Sequence, residues 1–203
     1  MKIGVFGGTF DPIHIGHLIV AEEARYKLEL EKVIFLPAGR PWFKSDRKIT
    51  DGKLRLEMIK HATKDNPLFD VSDLELNREG STYSVESIPK LKDDLGGNVD
   101  LYFLIGVDAL ADIHKWKQPA KLMEMCQIVG LTRPEYADFD WTDIDRKVVG
   151  ASERIRIVEV SRIGVSSTDI RMMVQNGISV RYLVPDTVVR YIEERGLYKY
   201  TSH

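Results

Sequence analysis

No disulfide can close within this chain, because its 203 residues hold a single cysteine, Cys126. That cysteine lies in an apolar stretch and reads as a small core hydrophobe, and a lone thiol suits a reducing cytoplasm. No apolar run approaches the roughly 20 residues that a membrane-spanning helix needs, so no membrane role is expected. Met1-Lys2-Ile3-Gly4 leads straight into an apolar run and lacks a signal-peptide layout. An excess of one charge is also missing. The 29 basic and 31 acidic side chains leave a net charge of -2, which argues against a nucleic-acid partner. A small anionic ligand needs only local positive charge and stays open. There is no internal repeat and no low-complexity tract.

What the chain does have is alternation. Apolar, β-branched runs at 3–6, 32–37, 69–72, 100–106, 127–131 and 156–160 read as strands. Residues 18–24, 51–64 and 84–95 read as helices, the second with Asp51 as its N-cap and the third ended by Gly96-Gly97. Strands alternating with helices imply βαβ units and a parallel sheet with right-handed crossovers. The expected fold is α/β: a doubly wound, Rossmann-like parallel sheet with flanking helices and a small C-terminal helical part at about 164–198. With 43% apolar residues the chain can bury one sizeable core, so a single domain over 1–203 is expected. Residues 38–50 and 133–140 read as loops that follow strands and so border the ligand crevice of such a sheet.

The densest motif is Gly7-Gly8-Thr9-Phe10-Asp11-Pro12-Ile13-His14-Ile15-Gly16-His17, placed between the first strand and the first helix. In α/β folds this is where helix N-termini present free N–H groups to phosphates. The spacing of His14 and His17 lets both imidazoles reach one phosphate group. The alternative reading is a glycine turn with cap residues and surface histidines. A second patch, Ser166-Ser167-Thr168-Asp169-Ile170-Arg171, puts hydroxyls at a helix start and an arginine one turn in, where it can also meet a phosphate. Read by itself it is an ordinary capped helix. Gly106-Val107-Asp108 follows the most apolar strand: the glycine permits close approach, and the carboxylate can accept from ribose hydroxyls or simply cap a helix.

The first motif, with its His-x-Gly-His core, resembles the signature of the nucleotidylyltransferase superfamily, and in its full form the bacterial nicotinate-mononucleotide adenylyltransferases. Residues 165–171 resemble that superfamily's second signature, Ile-Ser-Ser-Thr-x-Ile-Arg, with Val165 in place of isoleucine. The resemblance covers residues 3–198 and ends on a closing helix at Tyr191–Tyr198. It implies transfer of the adenylyl group of ATP to nicotinate mononucleotide, giving the deamido dinucleotide and pyrophosphate, with Mg²⁺ held mainly by the phosphates. Nicotinamide mononucleotide or phosphopantetheine as acceptor, and a catalytically silent nucleotide sensor, are the alternatives. A homo-oligomer is left open.

The same resemblance assigns roles. His17 meets the α-phosphate and His14 the β- or γ-phosphate, with Gly7, Gly8, Thr9 and Phe10 around them. Ser166, Ser167, Thr168 and Arg171 hold the triphosphate tail, joined by Arg133 from the Arg133-Pro134 pair. Gly106 and Asp108 take the adenosine and ribose. Thr82 and Tyr83 face the nicotinate carboxylate, and Trp116 stacks on the pyridine ring. Lys44 covers the reaction and contacts the mononucleotide. One patch departs from the family pattern Pro-Ala-Asn-x-Pro-Pro-His-Lys. Here it reads Pro37-Ala38-Gly39-Arg40-Pro41-Trp42-Phe43-Lys44, so Gly39 and Phe43 replace the asparagine and the histidine.

Overall fold

The computed structural model describes residues 1–39, 49–78, 80–132 and 141–199. Among them six strands form one parallel sheet: β1 (Lys2–Gly8), β2 (Lys32–Pro37), β3 (Phe69–Val71), β4 (Asp100–Gly106), β5 (Gln127–Thr132) and β6 (Ile155–Glu159). Their order is β3-β2-β1-β4-β5-β6, which reverses direction between β1 and β4. That reversal is the topological switch point, and it opens a crevice beyond the carboxyl ends of both strands. All pairings are parallel, with Phe6 beside Leu104 in the β1–β4 register.

Period-two alternation splits the apolar residues between two layers. Ile3, Val5, Leu101, Phe103 and Ile105 face one buried cluster, where they meet Ile88, Leu110 and Leu122. Phe6, Leu104, Val129 and Leu131 face the other. Each fully buried aliphatic side chain contributes about 1.5–3 kcal/mol, so both faces anchor the sheet. The strands read as unbroken apolar runs because helices cover both faces.

The helices are α1 (Ile15–Lys27), α2 (Gly52–Thr63), α3 (Ser84–Asp94), α4 (Val107–Ala111), α5 (Pro119–Met125), α6 (Trp141–Lys147), α7 (Ala151–Arg154), α8 (Ser167–Gln175) and α9 (Asp186–Glu194). Asp51 caps α2 as expected, its side chain accepting from the Lys53 N–H. Helices α8 and α9 bring Ile170, Val188, Tyr191 and Ile192 into the same cluster as Ala21 and Ala24 of α1 and Met58 and Ile59 of α2. The expected closing helix is displaced: α9 ends at Glu194, and Tyr198 lies in a tail with φ 63°. The expected elements also omit α4 to α7, which run for 5, 7, 7 and 4 residues, too short to show helical periodicity.

Candidate active site

Gly7 and Gly8 do not form the expected glycine turn. Both are in β1, and they are small because their neighbours are close. A Cβ on Gly7 would lie 2.8 Å from the Phe103 ring, and one on Gly8 would lie 2.8 Å from Phe10. The left-handed residue of the turn is Phe10, at φ 48°. Its ring is buried and lies edge-on to His17 at 5.0 Å, so it backs the histidine.

The turn ends where His14 caps α1. The His17 main-chain N–H donates to Nδ1 of His14 at 3.3 Å, and the His14 N–H donates to Nδ1 of His17 at 3.2 Å. This is a capping box made from two imidazoles. The rings stack with centroids 3.7 Å apart and 24° between planes. A ring nitrogen that accepts an N–H carries no proton, so each neutral ring keeps its proton on Nε2. Burial of His14 lowers its pKa from 6.5 to about 4, so it stays neutral near pH 7.

His14, Gly16 and His17 line a cavity of about 480 Å³ together with Ser166 and Ser167. Two helix N-termini, those of α1 and α8, therefore face one space. Ser166 caps α8, accepting from the Asp169 N–H at 3.1 Å, and Ser167 donates to the Pro12 carbonyl at 2.8 Å. Arg171 donates to the Asp11 carbonyl at 2.7 Å and to the Thr168 hydroxyl at 3.2 Å. The second signature is thus tied directly to the first. The free N–H groups and positive dipole ends of two helices make this space suited to a phosphate chain.

A second cavity, of about 420 Å³, lies on the other face of the sheet, at the ends of β1, β2 and β4. Gly7, Gly8, Thr9, Thr82, Tyr83, Phe103 and Trp116 are in its wall. The rings of Phe103 and Trp116 meet edge-on with centroids 6.1 Å apart. Tyr83 is the N-cap of α3 yet makes no side-chain cap bond; its carbonyl accepts from the Glu86 N–H, and the Ser84 and Val85 N–H groups are left for another acceptor. Thr82 is 6% exposed, and its Oγ1 has no hydrogen-bond partner among the described residues. A buried hydroxyl of this kind costs stability unless a ligand completes it. An apolar slot that ends in unmatched donors fits a flat ring bearing a small polar group.

Gly106 and Asp108 line both cavities. One elongated ligand pair can therefore meet at the end of β4, with anionic groups toward the histidines and a planar ring toward Trp116. Among the sequence-derived candidates, Thr168 is exposed and, like Phe10 and Arg171, lines neither cavity. Lys44 and Arg133 lie outside the described residues. The motifs did not point to Glu75, Asp112 and Lys117, which line the second cavity. Glu75 is buried and accepts from the Ser87 hydroxyl at 2.8 Å. Lys117 lies 4.4 Å above the Tyr83 ring and donates to Glu86. Glu75 sits between elements where no periodicity marks it, and Lys117 had only its position after Trp116 to recommend it.

A doubly wound sheet whose switch point joins an anion-binding helix start to a ring-shaped slot defines a nucleotide-binding α/β protein. The chain belongs to the cytidylyltransferase-like family, whose model matches residues 5–173. It is 44% identical over 203 residues to a Thermoanaerobacter protein named nicotinate-nucleotide adenylyltransferase, covering 98% of this chain and 95% of the relative. A protein of Moorella thermoacetica with the same name is 42% identical over 199 residues, covering 98% of this chain and 92% of the relative. The fold is shared with Plasmodium falciparum nicotinic acid mononucleotide adenylyltransferase complexed with NaAD. There the TM-score is 0.76 at 19% identity, with 97% of each chain covered.

Proposed function

We propose that this chain transfers the adenylyl group of ATP to nicotinate mononucleotide, producing nicotinate adenine dinucleotide and pyrophosphate, a step in NAD biosynthesis. The observation that carries the reading is the meeting of the two cavities at Gly106 and Asp108. In this arrangement the phosphate of the mononucleotide attacks the α-phosphorus of ATP. The new oxygen–phosphorus bond forms as the bond to the β-phosphate bridging oxygen breaks, and pyrophosphate leaves with that electron pair. The substrate phosphate is the nucleophile, so the protein supplies position and charge stabilisation.

His17 donates from Nε2 to the α-phosphate, and His14 does the same toward the β- and γ-phosphates. Ser166 and Ser167, with the α8 N-terminus, receive the tail and the departing pyrophosphate. Arg171 and Thr168 hold the Asp11 turn, and Arg133 and Lys44 add charge. Asp108 accepts from ribose hydroxyls. Thr82, Tyr83 and the α3 N-terminus receive the pyridine carboxylate, and Trp116 flanks the ring. Among the described residues no three His, Cys, Asp or Glu side chains converge on one point. A Mg²⁺ ion fits this donor set as one carried by phosphate oxygens and water, and when bound it neutralises phosphate charge.

The buried carboxylate of Glu75 in the ring slot favours a second acceptor, the amide form, whose NH₂ group would find an acceptor there. A cytoplasmic location is our reading, supported by the lone, free Cys126 thiol. No helix among the described residues is long and apolar enough to cross a membrane. The test is pyrophosphate release from ATP and Mg²⁺ with the acid and amide mononucleotides in parallel. Release with the acid form supports the reading. Release with the amide alone moves the assignment to the Glu75 reading, and release with neither overturns both.

A further inference from the structure

Arg55 is the largest fully buried side chain among the described residues, at 1% exposure, and it lines neither cavity. Among the described residues its guanidinium donates to main-chain carbonyls only. Nε–H meets the Thr50 oxygen at 2.9 Å, and Nη1 meets that of Thr9 at 2.6 Å. Nη2 is shared between Ala38 at 2.8 Å and Gly39 at 3.3 Å. Three separate stretches therefore converge on one cation: the turn after β1, the exit of β2 and the approach to α2. Burial works against that charge, while the nearby carboxylates of Asp11 and Asp51 work for it.

Thr9 and Ala38, two of the residues held this way, line the ring slot and are absent from the histidine-lined cavity. Of the residues the clamp holds, those that line either cavity line the ring slot. We propose that Arg55 is a positioning residue for the pyridine mononucleotide, fixing the slot wall through the Thr9 and Ala38 carbonyls without touching the ligand. This inference rests on the adenylyl-transfer reading. Only a planar fork with several fixed N–H groups can serve all four carbonyls; a lysine retains the charge but not that geometry. Gly39 tests the same wall from its other side. A Cβ there would lie 2.3 Å from the Glu75 carbonyl oxygen and 2.9 Å from Thr82 Cγ2, so Gly39→Ala must displace the β2 exit without altering Arg55.

The experiment is calorimetric titration of the wild-type chain, Arg55→Lys and Gly39→Ala with nicotinate mononucleotide and, separately, with ATP and Mg²⁺. The expected result is a mononucleotide Kd raised about tenfold or more in both variants, with the ATP Kd within about twofold of wild type. A role in folding alone would lower the active fraction and leave both dissociation constants in place. That result, or equal weakening of both ligands, overturns the proposal. Should Arg55→Lys not fold, Gly39→Ala decides by the same criterion. A wild-type chain that binds no pyridine mononucleotide overturns the adenylyl-transfer reading, and this assignment with it.

Discussion

His14 and His17 each accept the other's main-chain N–H through Nδ1, at 3.3 and 3.2 Å. The same pair of bonds starts α1 and sets the tautomer of both rings. Helix nucleation and the direction of the side-chain donors are therefore one structural event. A ligand phosphate meets two Nε2–H donors already fixed by the cap, with little reorganisation at the moment of reaction.

His17→Ala removes a donor that strengthens as charge develops on the α-phosphate. The expected loss is about 10²- to 10³-fold in kcat, with ATP affinity within a few-fold of wild type. Steady-state kinetics beside equilibrium ATP binding checks it. Turnover near wild type would remove His17 from the chemistry. A matching loss in ATP affinity would make it a ground-state contact.

The neutral state of His14 gives acid sensitivity a specific source. Its pKa falls from 6.5 to about 4 in the folded chain. Between those values the unfolded chain binds the extra proton, so stability is lost as pH falls through this window and levels off below it. His14→Asn keeps a good N-cap acceptor but does not titrate. Between pH 7 and 4.5 the wild-type chain should lose about 2–3 kcal/mol more than the variant. Urea unfolding of both proteins at the two pH values measures this. Carboxylates such as Glu22 and Glu23, whose pKa values are lowered, contribute equally to both and cancel. Parallel losses would show that the imidazole is not held neutral.

The strands and the long helices were legible because hydrophobic periodicity marks them, and the two phosphate-facing signatures because their residues are adjacent in sequence. The reason for Gly7 and Gly8 was not legible. It depends on the Phe103 and Phe10 rings, which reach them only in the folded sheet. Arg55 falls inside the apolar stripe of α2, between Ala62 and Ile59 around the helix, but no local pattern names its acceptors, since three of the four carbonyls lie 16 to 46 residues away. The Tyr198 contact with Asp11 spans 187 residues, and no local pattern reports it. The division of the site into two cavities also escaped, because it follows from the strand order and not from any one segment.

The C-terminal tail has a measurable share in holding the phosphate turn. Tyr198 donates to the buried Asp11 carboxylate at 2.8 Å, while the Asp11 carbonyl accepts from Arg171. Tyr198→Phe deletes one hydroxyl and leaves the ring packing intact. A hydrogen bond to a charged, buried acceptor is worth about 1.5–3 kcal/mol, a fall of about 4–8 °C in Tm for a chain of this size. Thermal unfolding of both proteins tests it. An unchanged Tm would mean that solvent or another donor replaces the hydroxyl, and the tail would not be an anchor.

Thr82 separates stability from function most cleanly. Its buried hydroxyl lacks a partner among the described residues and lies in the wall of the ring slot. Among the described residues nothing offsets the desolvation of that group, and a ligand oxygen would. Thr82→Val has nearly the same shape and no hydroxyl. The free variant should therefore be more stable than wild type, by about 1 kcal/mol. Its affinity for nicotinate mononucleotide should fall about 5- to 30-fold, the equivalent of one ligand hydrogen bond. Affinity for ATP, bound on the histidine side, should not change. Denaturant unfolding together with two ligand titrations reads all three quantities. If the variant is less stable and binds the mononucleotide normally, the hydroxyl is satisfied within the protein and the pyridine carboxylate must be received elsewhere.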